Sequence, residues 1–218
     1  MPEIDEKEKK LIVKVVYYGP ALSGKTTNLM QLHDILNPAR CGEFMTLDTK
    51  GDRTLFFDLL PVMARSIDGF RIKLKLFTVP GQVEHDATRK TILSRTDGVV
   101  FVADSQLSQS MTNFESFDNL EKNAGRVGLD IDTLPLVIQF NKRDLPDIIS
   151  EQDILDRWEP TGLPVLFSSA LYGKGVKETF DAALKAIYQS LNRQYGLAEK
   201  FAITEQTFLE IGSGNEYL

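Results

Sequence analysis

Along the chain, short apolar runs alternate with amphipathic stretches, the pattern expected of a parallel sheet with helices on both faces. Strands are predicted near 11–18, 70–79, 98–103, 134–140 and 164–168, with a further edge strand somewhere in 44–60. Gly98-Val-Val-Phe-Val-Ala103 and Leu134-Pro-Leu-Val-Ile-Gln-Phe140 are almost continuously apolar and read as central strands covered on both faces. The segment from Phe70 to Phe77 alternates apolar and basic residues, so one of its faces is expected to be wet. Asp68-Gly69 reads as a hairpin turn ahead of it. Helices are predicted near 25–36, 84–95, 110–126, 151–158 and 175–192. Two regions fit this scheme poorly. Asn37 to Arg53 is polar, carries two glycines and reads as a long loop of the kind that bears function. From about Tyr195 onward the chain reads as a partly disordered tail, whose Phe201, Phe208, Leu209 and Ile211 could instead dock on the body or on a partner.

One motif changes this from a fold class into chemistry. Gly19-Pro-Ala21-Leu22-Ser23-Gly24-Lys25-Thr26 fits the phosphate-loop pattern G-x-x-x-x-G-K-T. It stands between the apolar run Leu11–Tyr18 and a helix that continues through Thr27. The glycines let the backbone turn its amide hydrogens around phosphate oxygens. Lys25 brings a positive charge to the β- and γ-phosphates, the Thr26 hydroxyl is a candidate Mg²⁺ ligand, and the helix start adds partial positive charge.

A second motif sits at the carboxyl end of a predicted central strand, where open α/β sheets bind ligands. Guanine presents two adjacent nitrogen donors that one carboxylate can accept, and Asp144 of Asn141-Lys142-Arg-Asp144 is the candidate for that contact. The stem of Lys142 can cover a face of the base. Asn141 is expected to tie this loop to the phosphate loop. Ser168-Ser169-Ala170 follows the next strand, where a backbone amide is expected to meet the guanine carbonyl.

Composition narrows the field. The 218 residues suffice for one α/β domain with a full core. With 25 Lys and Arg against 31 Asp and Glu, the net charge of −6 argues against sequence-independent nucleic-acid binding. No apolar run approaches the length of a membrane span, and Met1–Lys10 is too charged for a secretory leader. The single cysteine, Cys41, allows no internal disulfide and suits a reducing cytoplasm. Gly214–Leu218 holds no prenylation cysteine, so membrane contact is expected to be peripheral or through a partner.

At these residues the chain resembles the Ras-like small GTPases, and within them the MglA-like family of bacterial gliding-motility and polarity GTPases. The resemblance rests on Tyr18–Asn28, Asp52-Arg-Thr-Leu-Phe-Phe-Asp58, Thr78-Val-Pro-Gly-Gln82, Asp97–Asp104 and Asn141-Lys-Arg-Asp-Leu-Pro146. It spans about residues 10 to 192 and is silent on the tail. It implies a P-loop NTPase, Ras-like G domain over 11–193, between a charged segment 1–10 and an extension 194–218. It implies a GTP/GDP switch with Mg²⁺, slow GTP hydrolysis, a Roadblock-fold activating partner of the MglB kind and effectors that read the GTP state. In it Arg53 and Gln82 are the catalytic residues, and 38–60 and 80–95 are the moving segments.

The residues agree in kind. The Gly81 amide can reach the γ-phosphate, Gln82 can orient water, Thr54 can ligate Mg²⁺, and Arg53 can serve as an arginine finger in cis. A solvated loop arginine, a strand-start threonine and a polar helix-start glutamine are the plain alternatives. Two departures stand out. Thr78 replaces the aspartate that usually helps hold Mg²⁺, with Asp58 or Asp52 as possible substitutes, and the MglA-like family shares this replacement. Ala21 replaces a glycine and points a methyl group at the space that Gln82 and an arginine finger enter, which predicts slower hydrolysis. A GTP-binding scaffold with negligible turnover is the alternative function, and a phosphotransferase on the same loop a third.

Overall fold

The computed structural model describes residues 2–48, 56–65, 69–81 and 86–212. The strands are β1 (Glu3–Asp5), β2 (Lys10–Tyr18), β3 (Met45–Asp48), β4 (Phe56–Arg65), β5 (Arg71–Thr78), β6 (Gly98–Asp104), β7 (Leu136–Asn141) and β8 (Val165–Phe167). They form one sheet in the order β3-β4-β5-β2-β6-β7-β8, with β1 also paired to β2. The β5–β2, β2–β6, β6–β7 and β7–β8 ladders are parallel, while β1–β2, β3–β4 and β4–β5 are antiparallel. The sheet is therefore mostly parallel, as its alternation with helices requires.

Helices α1 (Lys25–Ile35), α2 (Asp86–Leu93), α3 (Ser110–Arg126), α4 (Glu151–Trp158) and α5 (Val176–Tyr195) lie close to the segments read from the apolar period. The start of α4 shows why: the Ser150 side chain caps it by accepting from the Asp153 amide. Two cores sandwich the sheet. One joins Leu29 and Leu32 of α1 and Phe180, Leu184 and Ile187 of α5 to Val13, Val15, Val100 and Val102. The other joins Ile92 and Leu93 of α2, Leu120 of α3 and Ile154 of α4 to Val16, Phe101 and Ile138. All seven residues of β6 are buried, as a strand covered on both faces must be.

The charged segment 1–10 joins the sheet, because Glu3–Asp5 pairs with Lys10–Ile12. β6 begins opposite Val15, which leaves the earlier edge of β2 for β1. Residues 37–53 are not loop throughout: Cys41 bridges Val62, the Gly42 amide donates to Pro61, and β3 pairs with β4. The expected single edge strand is thus two. The tail is not disordered over 197–211: α6 (Leu197–Phe201) and α7 (Glu205–Leu209) dock on α5, burying Leu197, Ile203, Phe208 and Ile211 completely. In the turn read at Asp68-Gly69, Gly69 has a φ of 80°, while Asp68 lies outside the described residues.

Candidate active site

Carboxyl ends of the parallel strands bring the motifs together. The phosphate loop follows β2, Thr78 ends β5 with Gly81 shortly after it, Asp104 ends β6, Asn141 ends β7, and Ser168 to Ala170 follow β8. The order reverses beside β2, where such sheets open a crevice.

In the phosphate loop Leu22 and Gly24 take positive φ angles of 61° and 101°. A Cβ on Gly24 would lie 2.2 Å from Asn141 Nδ2, so only glycine lets the second motif approach. Asn141 uses its whole carboxamide. Its Nδ2 donates to Ser23 O (2.8 Å), and its Oδ1 accepts from Ser168 Oγ (3.0 Å) and the Ala170 amide (2.9 Å). One buried side chain thereby joins the three loops that sequence reading assigned to phosphate and base. The Ala170 amide is engaged by Asn141 rather than open, and the Ser169 amide donates to Lys174 O (3.0 Å). Lys142, with φ 67°, is held by Asp104 at 2.6 Å, and Asp104 is itself buried. Asp144 stands exposed beside them.

Lys25 is buried, and its ammonium donates to the carbonyls of Gly19 (3.0 Å) and Pro20 (2.6 Å). Burial, helped by the charge of Arg89 and opposed by that of Asp58, pulls its pKa down to about 7. A cation so desolvated calls for an anion. A cavity of about 470 Å³ opens beside it, lined by Ala21, Leu22, Gly24, Thr26, Thr27, Asp58, Thr78 and Gly81 among others. Gly81 closes against the phosphate loop: a Cβ there would lie 2.3 Å from Ala21 Cα.

Asp58 gathers three threonine hydroxyls beside the cavity. Its carboxylate accepts from the hydroxyls of Thr26 (2.6 Å), Thr46 (3.0 Å) and Thr78 (2.9 Å), while the Asp58 amide donates to Thr78 Oγ1 (2.9 Å). Thr78 and Asp58 lie on adjacent antiparallel strands. Hard oxygens of this kind suit Mg²⁺ together with phosphate oxygens. Among the described residues no group of three or more His, Cys, Asp or Glu side chains comes together, so a metal held by protein alone has no ligand set there.

Arg53, Thr54, Gln82, Asp52 and His85 lie outside the described residues. His33 is exposed, and Trp158 packs edge-on against Phe117. Sequence reading missed the parts that no motif announces. Thr46 was hidden in a supposed loop. Gln139, fully buried, donates to Asn28 (2.9 Å) and Thr179 (2.9 Å) and so links β7, α1 and α5. Buried Arg89 of α2 and Asn123 of α3, with half-buried Asn119 between them, form a polar cluster. Polar residues four apart on one helix, Asn119 and Asn123, were its only visible signal.

Comparison with known proteins agrees with this geometry. Residues 4–187 match the sequence model of the ADP-ribosylation factor family. The chain is 42% identical over 193 residues to the mutual gliding-motility protein MglA of Myxococcus xanthus (strain DK1622), covering 88% of this chain and 99% of that protein. Small GTPases of this kind bind GTP and GDP with Mg²⁺ and hydrolyse GTP. The chain belongs to the ADP-ribosylation factor family and is a small GTPase of the Ras-like class.

Proposed function

We propose that this protein is a cytoplasmic GTP-driven switch that controls polarity or motility of a bacterial cell. The observation that carries the reading is Asn141, which couples the phosphate loop to both base loops through three hydrogen bonds. The likeness to a gliding-motility protein supports the cellular role.

Each described residue has work suited to its place. Backbone amides from Gly19 to Thr27 cradle phosphate, and Lys25 regains its full charge against it. Asp144 accepts from the guanine ring, Lys142 covers the base, and Ala170 shares its amide with the guanine carbonyl. Thr26 and Thr54 would hold Mg²⁺, which would neutralise charge on the phosphate oxygens, and Asp58 orients the Thr26 hydroxyl. Gly81 points its amide at the γ-phosphate. Arg53 and Gln82, from the segments outside the described residues, supply the arginine finger and the water-orienting amide. Losing the γ-phosphate releases Gly81 and Thr54, which turns hydrolysis into a change of surface. A Roadblock-fold activator and effectors of the GTP state read that surface.

Single-turnover hydrolysis of radiolabelled GTP with Mg²⁺, with and without excess ATP, tests this. Turnover of about 10⁻⁴ to 10⁻² per second, insensitive to ATP, is expected of an unassisted small GTPase. Displacement by ATP overturns the assignment of Asp144. Binding without turnover, even with a Roadblock-fold activator added, favours the scaffold.

A further inference from the structure

Arg89 is the most deeply committed cation near the cavity besides Lys25. It lies on the buried face of α2 and is only 3% exposed. Its Nε donates to Pro80 O (3.1 Å), one terminal nitrogen to Gly81 O (3.4 Å), and the other to Asn119 Oδ1 (2.7 Å). Asn119 Oδ1 also accepts from Asn123 (3.0 Å) and from the hydroxyl of Tyr18, the residue immediately before the phosphate loop. Both asparagines donate to Asp86 at the start of α2, at 3.2 and 2.6 Å, and Arg126 pairs with the same carboxylate at 3.2 Å. A single network therefore joins the foot of the phosphate loop, α3, and the backbone on which α2 begins.

Geometry gives this grip a direction. In a trans peptide the C=O and N–H point to opposite sides of one plane. The Pro80 carbonyl and the Gly81 amide belong to the same peptide. Holding the carbonyl from the α2 side turns the amide away from Arg89, and Gly81 lines the phosphate cavity. The guanidinium charge is also felt at Lys25, so it adds positive potential where the γ-phosphate would sit.

We infer that Arg89 is a positioning residue for GTP hydrolysis, aiming the Gly81 amide at the γ-phosphate and tying that amide through Asn119 and Tyr18 to the phosphate loop. The inference rests on the role proposed above for Gly81. Only the γ-phosphate gains from it, so GDP binding is indifferent to it.

The test compares the parent with Arg89→Gln, Arg89→Lys and Asn119→Ala. Single-turnover hydrolysis, GDP affinity and the ³¹P spectrum of a bound non-hydrolysable GTP analogue are measured on each. Removing one well-aimed donor to a developing charge costs about 10²–10³ in rate. Arg89→Gln is expected to lose about 10- to 100-fold in rate, with GDP affinity within about threefold of the parent and the γ-phosphate resonance shifted. Arg89→Lys keeps the charge but cannot span three acceptors, so it is expected to fall with Arg89→Gln. Asn119→Ala, which leaves Arg89 in place but unanchored, is expected to show a smaller loss of the same kind. Variants within twofold of a parent that does turn over overturn this inference alone. Equal losses in rate and GDP affinity overturn it too, because they mark a merely structural role. A parent that does not hydrolyse GTP even with a Roadblock-fold activator added overturns the switch reading and this inference with it.

Discussion

The docked tail makes the sharpest stability prediction, at Phe208. This residue is fully buried, and its ring centroid lies 5.6 Å from that of Tyr188 on α5. Ile203 and Ile211 flank it, both also fully buried, and the Tyr188 hydroxyl donates to Ile203 O (3.1 Å). The five residues of α7 are too few to hold a helix by themselves, even with the Thr204 cap that accepts from the Thr207 amide. Side-chain burial must hold it, and Phe208→Ala removes the largest part. Truncating a buried phenylalanine costs about 3–5 kcal/mol. At about 2–4 °C per kcal/mol for a chain of this size, a loss near 3 kcal/mol lowers Tm by about 6–12 °C. The segment is terminal, so it can also let go locally, and then the global loss is capped at the free energy of docking. Calorimetry with GDP and Mg²⁺ at fixed excess separates this from ligand effects, and hydrogen exchange over 203–211 reports local release. A Tm drop, or selective loss of protection in α7, is the expected result. An unchanged Tm together with a segment that exchanges freely in the parent would refute the docked geometry and the reasoning built on it.

Three further predictions concern the site. Folding holds the Lys25 pKa down to about 7 from 10.5, so the unfolded chain binds that proton more tightly and the nucleotide-free protein gains stability as pH rises between those values. At pH 8.5, where the phosphates are already ionised, GDP binding should therefore take up about one proton, and calorimetry in buffers of contrasting ionisation enthalpy would detect it. Asp144→Asn exchanges a carboxylate acceptor for an amide, so GTP affinity should fall about 10²- to 10⁴-fold while xanthosine triphosphate gains; equal loss for both nucleotides in a competition assay would contradict the contact. Ala21→Gly removes a methyl group from the phosphate loop against which Gly81 closes and should raise the single-turnover rate, whereas an unchanged or lower rate sinks the steric argument.

Legibility followed the range of the interactions. The phosphate loop, the Asn141–Asp144 loop and the order of elements could be read directly, because each is a contiguous stretch whose chemistry is local. A glycine-rich turn between strand and helix binds phosphate wherever it stands. Helices α3 and α4 agree with the predicted 110–126 and 151–158, because amphipathic period marks both and Ser150 caps the second. Strands β6 and β7 announced their central places by being almost continuously apolar. By contrast, β1 has one apolar residue between two carboxylates, and only the open edge of β2 makes it a strand.

Tertiary structure alone decided the rest. The Asp58 carboxylate meets the Thr78 hydroxyl only because β4 and β5 are antiparallel neighbours. Arg89 meets Asn119 and Pro80 through two helices and a strand end, and no spacing in the chain encodes that meeting. The tail's apolar residues had several surfaces open to them until α5 offered Tyr188 and β5's approach offered Phe70, which packs on Phe201. Sequence by itself determines what each segment can do, since backbone propensity and side-chain chemistry are properties of neighbours in the chain. Which far-apart groups share a carboxylate, a cavity or a core depends on the packing of the whole sheet, and only the fold supplies that.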